Sequence, residues 1–241
     1  PMLAPARRQT PESASLASPD IVNANDIPAT VRIPKVIHQI WLGDQARRPA
    51  RWMSSWQQKH PDWEYRLWTE ANLPPLRAQA AFDAMPHLAG KADILRYELL
   101  HRFGGVYIDA DAECVAALSD DLLSNRAFAA HENEYVRPGM IANGVIGCLP
   151  GTPLMAAMTD TILATEGLRE CPAIEVWKLT GPLAFTRVIG RGGHSYIRIY
   201  PSFWFYPEHY SGVHYSGVVD RCYARQYWGS TRSGVYEANA Q

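Results

Sequence analysis

No stretch of this chain approaches the eighteen or so apolar residues that a membrane-crossing helix needs, and its first residues lack the apolar core of a signal peptide. It has little excess of charge. The 23 Lys and Arg against 24 Asp and Glu leave a formal net charge of −1, so no basic field exists to hold nucleic acid or an anionic membrane broadly. Peripheral membrane contact through a local patch stays open. Cysteine is sparse too: Cys114, Cys148, Cys171 and Cys222 form no CxxC pair and have no histidine at zinc-finger spacing. Free thiols, and hence a reducing, cytoplasmic setting, are the expectation. Neither GxGxxG nor GxxxxGK(S/T) occurs, which removes the usual dinucleotide and P-loop phosphate sites.

What the chain does contain is enough apolar material for one core: 47% of its 241 residues are hydrophobic. Residues 1–30, rich in Pro, Ala, Ser and Arg without a sustained period, read as a flexible leader, or as a targeting segment that has been trimmed. Residues 31–241 read as a single domain. Its first strand is the β-branched run from Ile33 to Gly43; a helix carries Trp52 and Trp56; a second strand alternates over Trp63–Trp68; a further helix is expected from Leu76 to about Met85. Lys91–Leu100 has helical spacing, with Leu95, Leu99 and Phe103 on one stripe and Gly104 as the stop. This alternation predicts an α/β domain with helices covering a mostly parallel sheet, and ligands in such folds sit beyond the C-terminal ends of the strands. Trp41, Gly43, Asp109 and Asp111 should then share one crevice.

The stretch that organises the rest is Gly104-Gly105-Val106-Tyr107-Ile108-Asp109-Ala110-Asp111. If it is extended throughout, Asp109 and Asp111 point the same way and Ala110 points into packing. Two hard oxygen ligands on one side suit Mn²⁺ or Mg²⁺ holding a diphosphate. Asp93 and Arg96 share one face of the preceding helix. The alternatives are a solvated turn for the acid pair and a surface ion pair, worth little, for Asp93 and Arg96.

Ile33-Pro34-Lys35-Val36-Ile37-His38-Gln39-Ile40-Trp41-Leu42-Gly43, then Pro61-Asp62-Trp63-Glu64-Tyr65-Arg66-Leu67-Trp68, Lys91-Ala92-Asp93-Ile94-Leu95-Arg96-Tyr97 and the acid-pair stretch together resemble the DXD-containing sugar transferases of glycosyltransferase family 32. That family takes in yeast α-mannosyltransferases and bacterial capsule or lipo-oligosaccharide transferases, and it shares its core with clostridial glucosylating toxins. The resemblance is strong over residues 33–111. Further on it is carried by Asn143-Gly144-Val145-Ile146-Gly147, Thr180-Gly181-Pro182 and Phe205-Tyr206-Pro207. It implies a GT-A (Rossmann-like) fold and a retaining transfer, dependent on Mn²⁺ or Mg²⁺, from a UDP- or GDP-linked nucleotide-diphosphate sugar to a glycan or protein hydroxyl. Bacterial polysaccharide biosynthesis is the expected setting. By resemblance Trp41, with Ile40 beside it, stacks on the base; Asp93 and Arg96 grip the donor sugar; Asp109 contacts ribose, sugar and metal; Asp111 is the direct metal ligand. Tyr107 contacts the sugar-nucleotide and Asn143 lies near the sugar. The metal would neutralise the leaving diphosphate while the acceptor hydroxyl attacks from the same face, with no protein nucleophile.

The chain departs from the family near its end. Gln226 stands where a histidine is usual and Thr231 where a tryptophan is usual, leaving Ser230 in place, so a neutral amide would replace the imidazole at the metal or phosphate. Arg225, Trp228 or Arg232 are the candidate substitutes for the lid. A degenerate, non-catalytic nucleotide-sugar-binding relative is therefore one alternative. Another is a protein-modifying, secreted effector, because His131-Glu132-Asn133 resembles the motif of effectors that glycosylate arginine, although their leading strand is not matched here. Glu113 and Glu132 belong to no family motif. The aromatic C-terminal third, from Tyr196 to Trp228, suits either an acceptor groove or the burial of an irregular segment.

Overall fold

The β-branched run near residue 33 becomes β1, Val36–Ile40, and stops where Gly43 takes a φ of 87° that other residues avoid. In the computed structural model, which describes residues 31–229 and Thr231, β1 is followed by α1 (Ala50–Lys59), β2 (Glu64–Trp68), α2 (Gln79–Ala84) and α3 (Leu88–Phe103). The leader expected over residues 1–30 lies outside the described residues. Then come β3 (Gly105–Ile108), β4 (Ala112–Cys114), the single turn α4 (Asp120–Leu123), β5 (Ala127–His131) and β6 (Ile141–Cys148). The last elements are α5 (Pro153–Leu163), α6 (Val176–Leu179), α7 (Pro182–Gly190), β7 (Ile197–Tyr200) and β8 (Ala224–Gln226).

Six strands make one sheet in the order β2-β1-β3-β6-β5-β7. β1 runs parallel to β2 and β3, β5 runs parallel to β7, and β6 alone is antiparallel to its neighbours. The sheet is mostly parallel, as expected. One face is covered by α2, α3, α5 and α7 around Leu95, Tyr97, Leu99 and Phe185. The other face meets Trp56 of α1 and the aromatic segment Phe203–Tyr206 with Tyr223. Much of the C-terminal aromatic content is therefore core. All four cysteines are free thiols, also as expected.

Two expectations fail for identifiable reasons. The strand ends at Ile108, and Asp109–Ala112 is a turn closed by the Ala112 N–H on the Asp109 carbonyl at 3.2 Å, so strand alternation does not aim the two carboxylates. Ala110 is buried, as expected, and also borders a cleft with them. Against expectation too, α2 starts at Gln79 instead of Leu76, because the Arg77 and Ala78 N–H groups donate to the Glu98 carboxylate at 2.9 and 2.5 Å.

His38 ties this floor together. Its Nε2–H donates to the Gly104 carbonyl at 2.9 Å, and its Nδ1 accepts from the Trp68 indole at 3.1 Å, so one neutral ring links β1 to β2 and to the end of α3. Burial, partly offset by the Gly104 hydrogen bond, pushes its pKa down to about 4.

Candidate active site

The C-terminal ends of β1 and β3, the N-terminal half of α3 and the first half of β6 enclose a cleft of about 940 Å³. Trp41, Asp109 and Asp111 line it together, as chain order predicts, while Gly43 stays off the wall and donates its N–H to Glu70. Ile40, Asp93, Arg96, Tyr107, Asn143 and Gln226 are there too. Ser230 and Arg232 fall outside the described residues.

Asp93 and Arg96 are not a surface pair. They are 6% and 5% exposed, joined at 3.0 Å, and held in a network with no loose ends. Asp93 accepts from the Asn143 amide at 2.8 Å on one oxygen and from the Thr180 hydroxyl at 2.9 Å on the other. Arg96 donates to the Asn143 carbonyl at 2.6 Å, reaches Asp109 at 3.2 Å and lies over the Tyr107 ring at 4.3 Å. Tyr107 in turn donates to Asp109 at 2.8 Å. Burial raises the Asp93 pKa, and the Arg96 charge opposes that. Arg96 is itself desolvated, but Tyr107, Asp109 and Asp93 more than compensate and hold it charged.

Gly144 makes room for the acid pair. A side chain on it would collide with the Asp109 carboxylate, and its carbonyl accepts the Asp109 N–H at 2.8 Å. Sequence reading missed Gln39, whose amide donates to the Asp109 carbonyl at 3.1 Å from inside the sheet. It also missed Trp56, whose buried indole donates to the Ala112 carbonyl at 2.7 Å and fixes the far end of the turn. Both sit at core positions of their elements, so their polar ends carry no periodic signal.

A strap from the chain's end holds Asp111. β8 pairs with β4, and the Gln226 amide, the Tyr227 N–H and the Gly229 N–H donate to Asp111 at 2.7, 2.9 and 2.5 Å. Trp228 takes a φ of 59° between the last two, an uncommon backbone for an aromatic, and its ring lines the cleft. It is Trp228, not Thr231, that supplies an aromatic at this end; Thr231 is exposed at the cleft edge. Arg225 is directed to the other side of β8, toward Glu113 and a separate shallow pocket. Burial first, then the Asp109 charge, pushes Asp111 up to about 7.

The donor set fits a hard divalent cation. Gln226 Oε1 is buried with no hydrogen-bond partner, beside a carboxylate that faces a second carboxylate. Three oxygens, from Asp109, Asp111 and Gln226, are the ligand chemistry of Mn²⁺ or Mg²⁺ sharing its shell with phosphate and water. The described residues hold no group of three or more His, Cys, Asp or Glu that could hold a metal ion, so a cation here would need the Gln226 amide oxygen beside the two carboxylates.

Glu132, unassigned by sequence, also lines the cleft, facing Arg137 at 3.4 Å and His209 at 3.2 Å. Glu113 does not: it accepts from Tyr227 at 2.7 Å outside. Asn133 caps the Tyr135 and Val136 N–H groups at 3.0 and 2.9 Å, and of the His131-Glu132-Asn133 triplet only Glu132 lines the cleft.

Residues 47–129 match the family model described as the glycosyltransferase sugar-binding region containing DXD motif, which bears out the resemblance read from the motifs. The chain is 31% identical to inositol phosphoceramide mannosyltransferase 3 of Schizosaccharomyces pombe, over 63% of this chain and 43% of that protein. It is 29% identical to a mannosyl phosphorylinositol ceramide synthase of Saccharomyces cerevisiae, over 67% of this chain and 43% of that protein. It thus spans less than half the length of these relatives. Among solved structures, the PaToxG glycosyltransferase superposes with a TM-score of 0.54 at 19% identity, covering 66% of this chain and 70% of that one. The ligand-free glycosyltransferase domain of the YGT toxin superposes with 0.52 at 11% identity, covering 70% and 80%. The fold is GT-A, as expected.

Proposed function

We propose that this chain is a retaining, metal-dependent glycosyltransferase that moves a sugar from a UDP- or GDP-linked nucleotide sugar to a hydroxyl acceptor. The observation that carries the reading is the saturated network Asp93–Arg96–Asn143–Asp109 at the base of a cleft whose other wall is a two-carboxylate, one-amide oxygen set. Trp41, which also lines the cleft, would stack on the base. Asp93 and Arg96 would orient the sugar through hydroxyls, and their preorganised geometry limits the reorganisation needed at reaction. Asp109, Asp111 and Gln226 would hold Mn²⁺ or Mg²⁺. Such a cation neutralises charge on a departing diphosphate. Within a retaining transfer, same-face attack is preferred to a covalent double displacement because Glu132 is engaged by Arg137 and His209, Glu175 by Lys178 and Asp44 by the Ala46 N–H.

The yeast relatives' names specify mannosyl transfer to an inositol phosphoceramide. We extend both to this chain: a mannosyl donor and a polyol-bearing lipid acceptor, reached at a membrane surface from the cytoplasmic side. This reading displaces bacterial polysaccharide synthesis as the preferred setting. The test is nucleoside diphosphate release from UDP- and GDP-sugars with Mn²⁺. Slow hydrolysis of a donor, GDP-mannose first, is expected; binding of donors without release under every condition would leave a nucleotide-sugar-binding module instead.

A further inference from the structure

Along the cleft, contacts run in a chain that the donor reading does not use. A side chain on Gly144 would meet, besides Asp109, the Tyr206 hydroxyl at 3.1 Å. The Tyr206 ring packs on Trp228 at 5.8 Å, and Trp228 on Tyr210 at 5.6 Å. Arg137 donates to the Tyr210 hydroxyl at 2.8 Å, pairs with Glu132 and lies over the Trp177 ring at 4.6 Å. Trp177 packs its backbone against Gly181, which abuts Asp93. The wall therefore closes back on the sugar-gripping pair.

Within that wall the Tyr206 hydroxyl is the anomaly. It is buried and lines the cleft, its own O–H finds no acceptor, the Val145 N–H is its backbone neighbour, and its charged neighbours are Asp109, Arg96 and Glu132. A buried phenol O–H without an acceptor is a standing cost, and an occupant supplying an oxygen recovers it. Glu132 offers carboxylate lone pairs next door. Its charge is matched by Arg137, and the His209 Nε2 lies 3.2 Å from it. The cluster thus has donors, an acceptor and aromatic sides but no surplus cation, and phosphate recognition calls for one.

We propose that Tyr206, Glu132 and Arg137, walled by Trp177 and Tyr210, form the acceptor subsite and are built for the hydroxyls of an uncharged polyol or sugar ring. This rests on the donor reading for its meaning. Its test does not. Saturation-transfer NMR on the unaltered protein with myo-inositol and with methyl α-mannoside should show binding that inorganic phosphate does not displace. Tyr206→Phe and Glu132→Gln should each weaken it by about tenfold or more, the loss of one good hydrogen bond. Asp93→Asn should leave it in place. In Tyr206→Phe the KM for a polyol acceptor should rise by the same factor as the NMR affinity falls. The proposal is overturned by any of three results: no polyol binding, displacement by phosphate, or binding that depends on Asp93 and not on Tyr206. If polyols bind as described but no donor is turned over, the donor reading falls and the subsite stands.

Discussion

The two walls that meet at Asp109 are built on opposite terms. On the α3 side, Asp93, Arg96, Asn143, Thr180 and Tyr107 are bonded to one another along the buried floor of the cleft. On the strap side, a three-residue strand, an aromatic in left-handed backbone and an amide with an idle oxygen hold Asp111. A closed network resists change and fixes geometry. An open one accepts a ligand. The difference teaches where a sugar's shape would be read and where a cation's arrival would be accommodated.

The contrast can be broken most sharply at Arg96. Arg96→Met would leave Asp93 and Asp109 without their cation, and a loss of about 3–5 kcal/mol in urea unfolding is expected; a change below about 1 kcal/mol would show the network to be slack. Next is Asp111→Ala, which should lower donor turnover by about 100-fold or more through loss of the cation's several kcal/mol, while the apo fold melts near the unaltered protein. Unchanged Mn²⁺ dependence would remove Asp111 from the site.

The floor under the rigid wall should be acid-sensitive. His38 titrates near 4 when folded and about 6.5 when unfolded, so the unfolded chain binds the extra proton first. Stability is then full above pH 6.5 and falls by up to about 3 kcal/mol as pH drops to 4. Buried His60, also lowered by burial, adds in the same direction. His38→Gln should flatten that slope in pH-dependent denaturation; an unchanged slope would locate the sensitivity elsewhere. The smallest effect is expected on the strap. Gln226→Leu should weaken Mn²⁺ binding about 10-fold by calorimetry, with stability shifted by about 1 kcal/mol or less. A Gln226→Leu protein that unfolds like Arg96→Met would erase the distinction between the walls.

Much of the rigid wall was legible in the sequence, because Asp93, Arg96 and the acid pair sit in contiguous motifs on strongly patterned elements. Asn143 was legible only as a position. Its role as a clamp on Asp93 depends on β6 running antiparallel beside β3, which no local pattern records. The strap was legible as a departure but not as a solution: nothing in Gln226-Tyr227-Trp228-Gly229 announces that backbone N–H groups will do part of a side chain's work. Tyr206 and Glu132 stayed hidden because a buried aromatic and a lone carboxylate look the same in sequence whether they face a core or a cavity.

The strap also sets an order of events. Gln226 reaches Asp111 across 115 residues, whereas β1, β2 and β3 pair over much shorter separations. Contacts so distant in sequence are made late, since the intervening chain must first be gathered. During synthesis the sheet and its helical cover can form while Asp111 still lacks its amide and N–H donors. The molecule would therefore pass through a stage with a mature scaffold and an unfinished ion-binding corner.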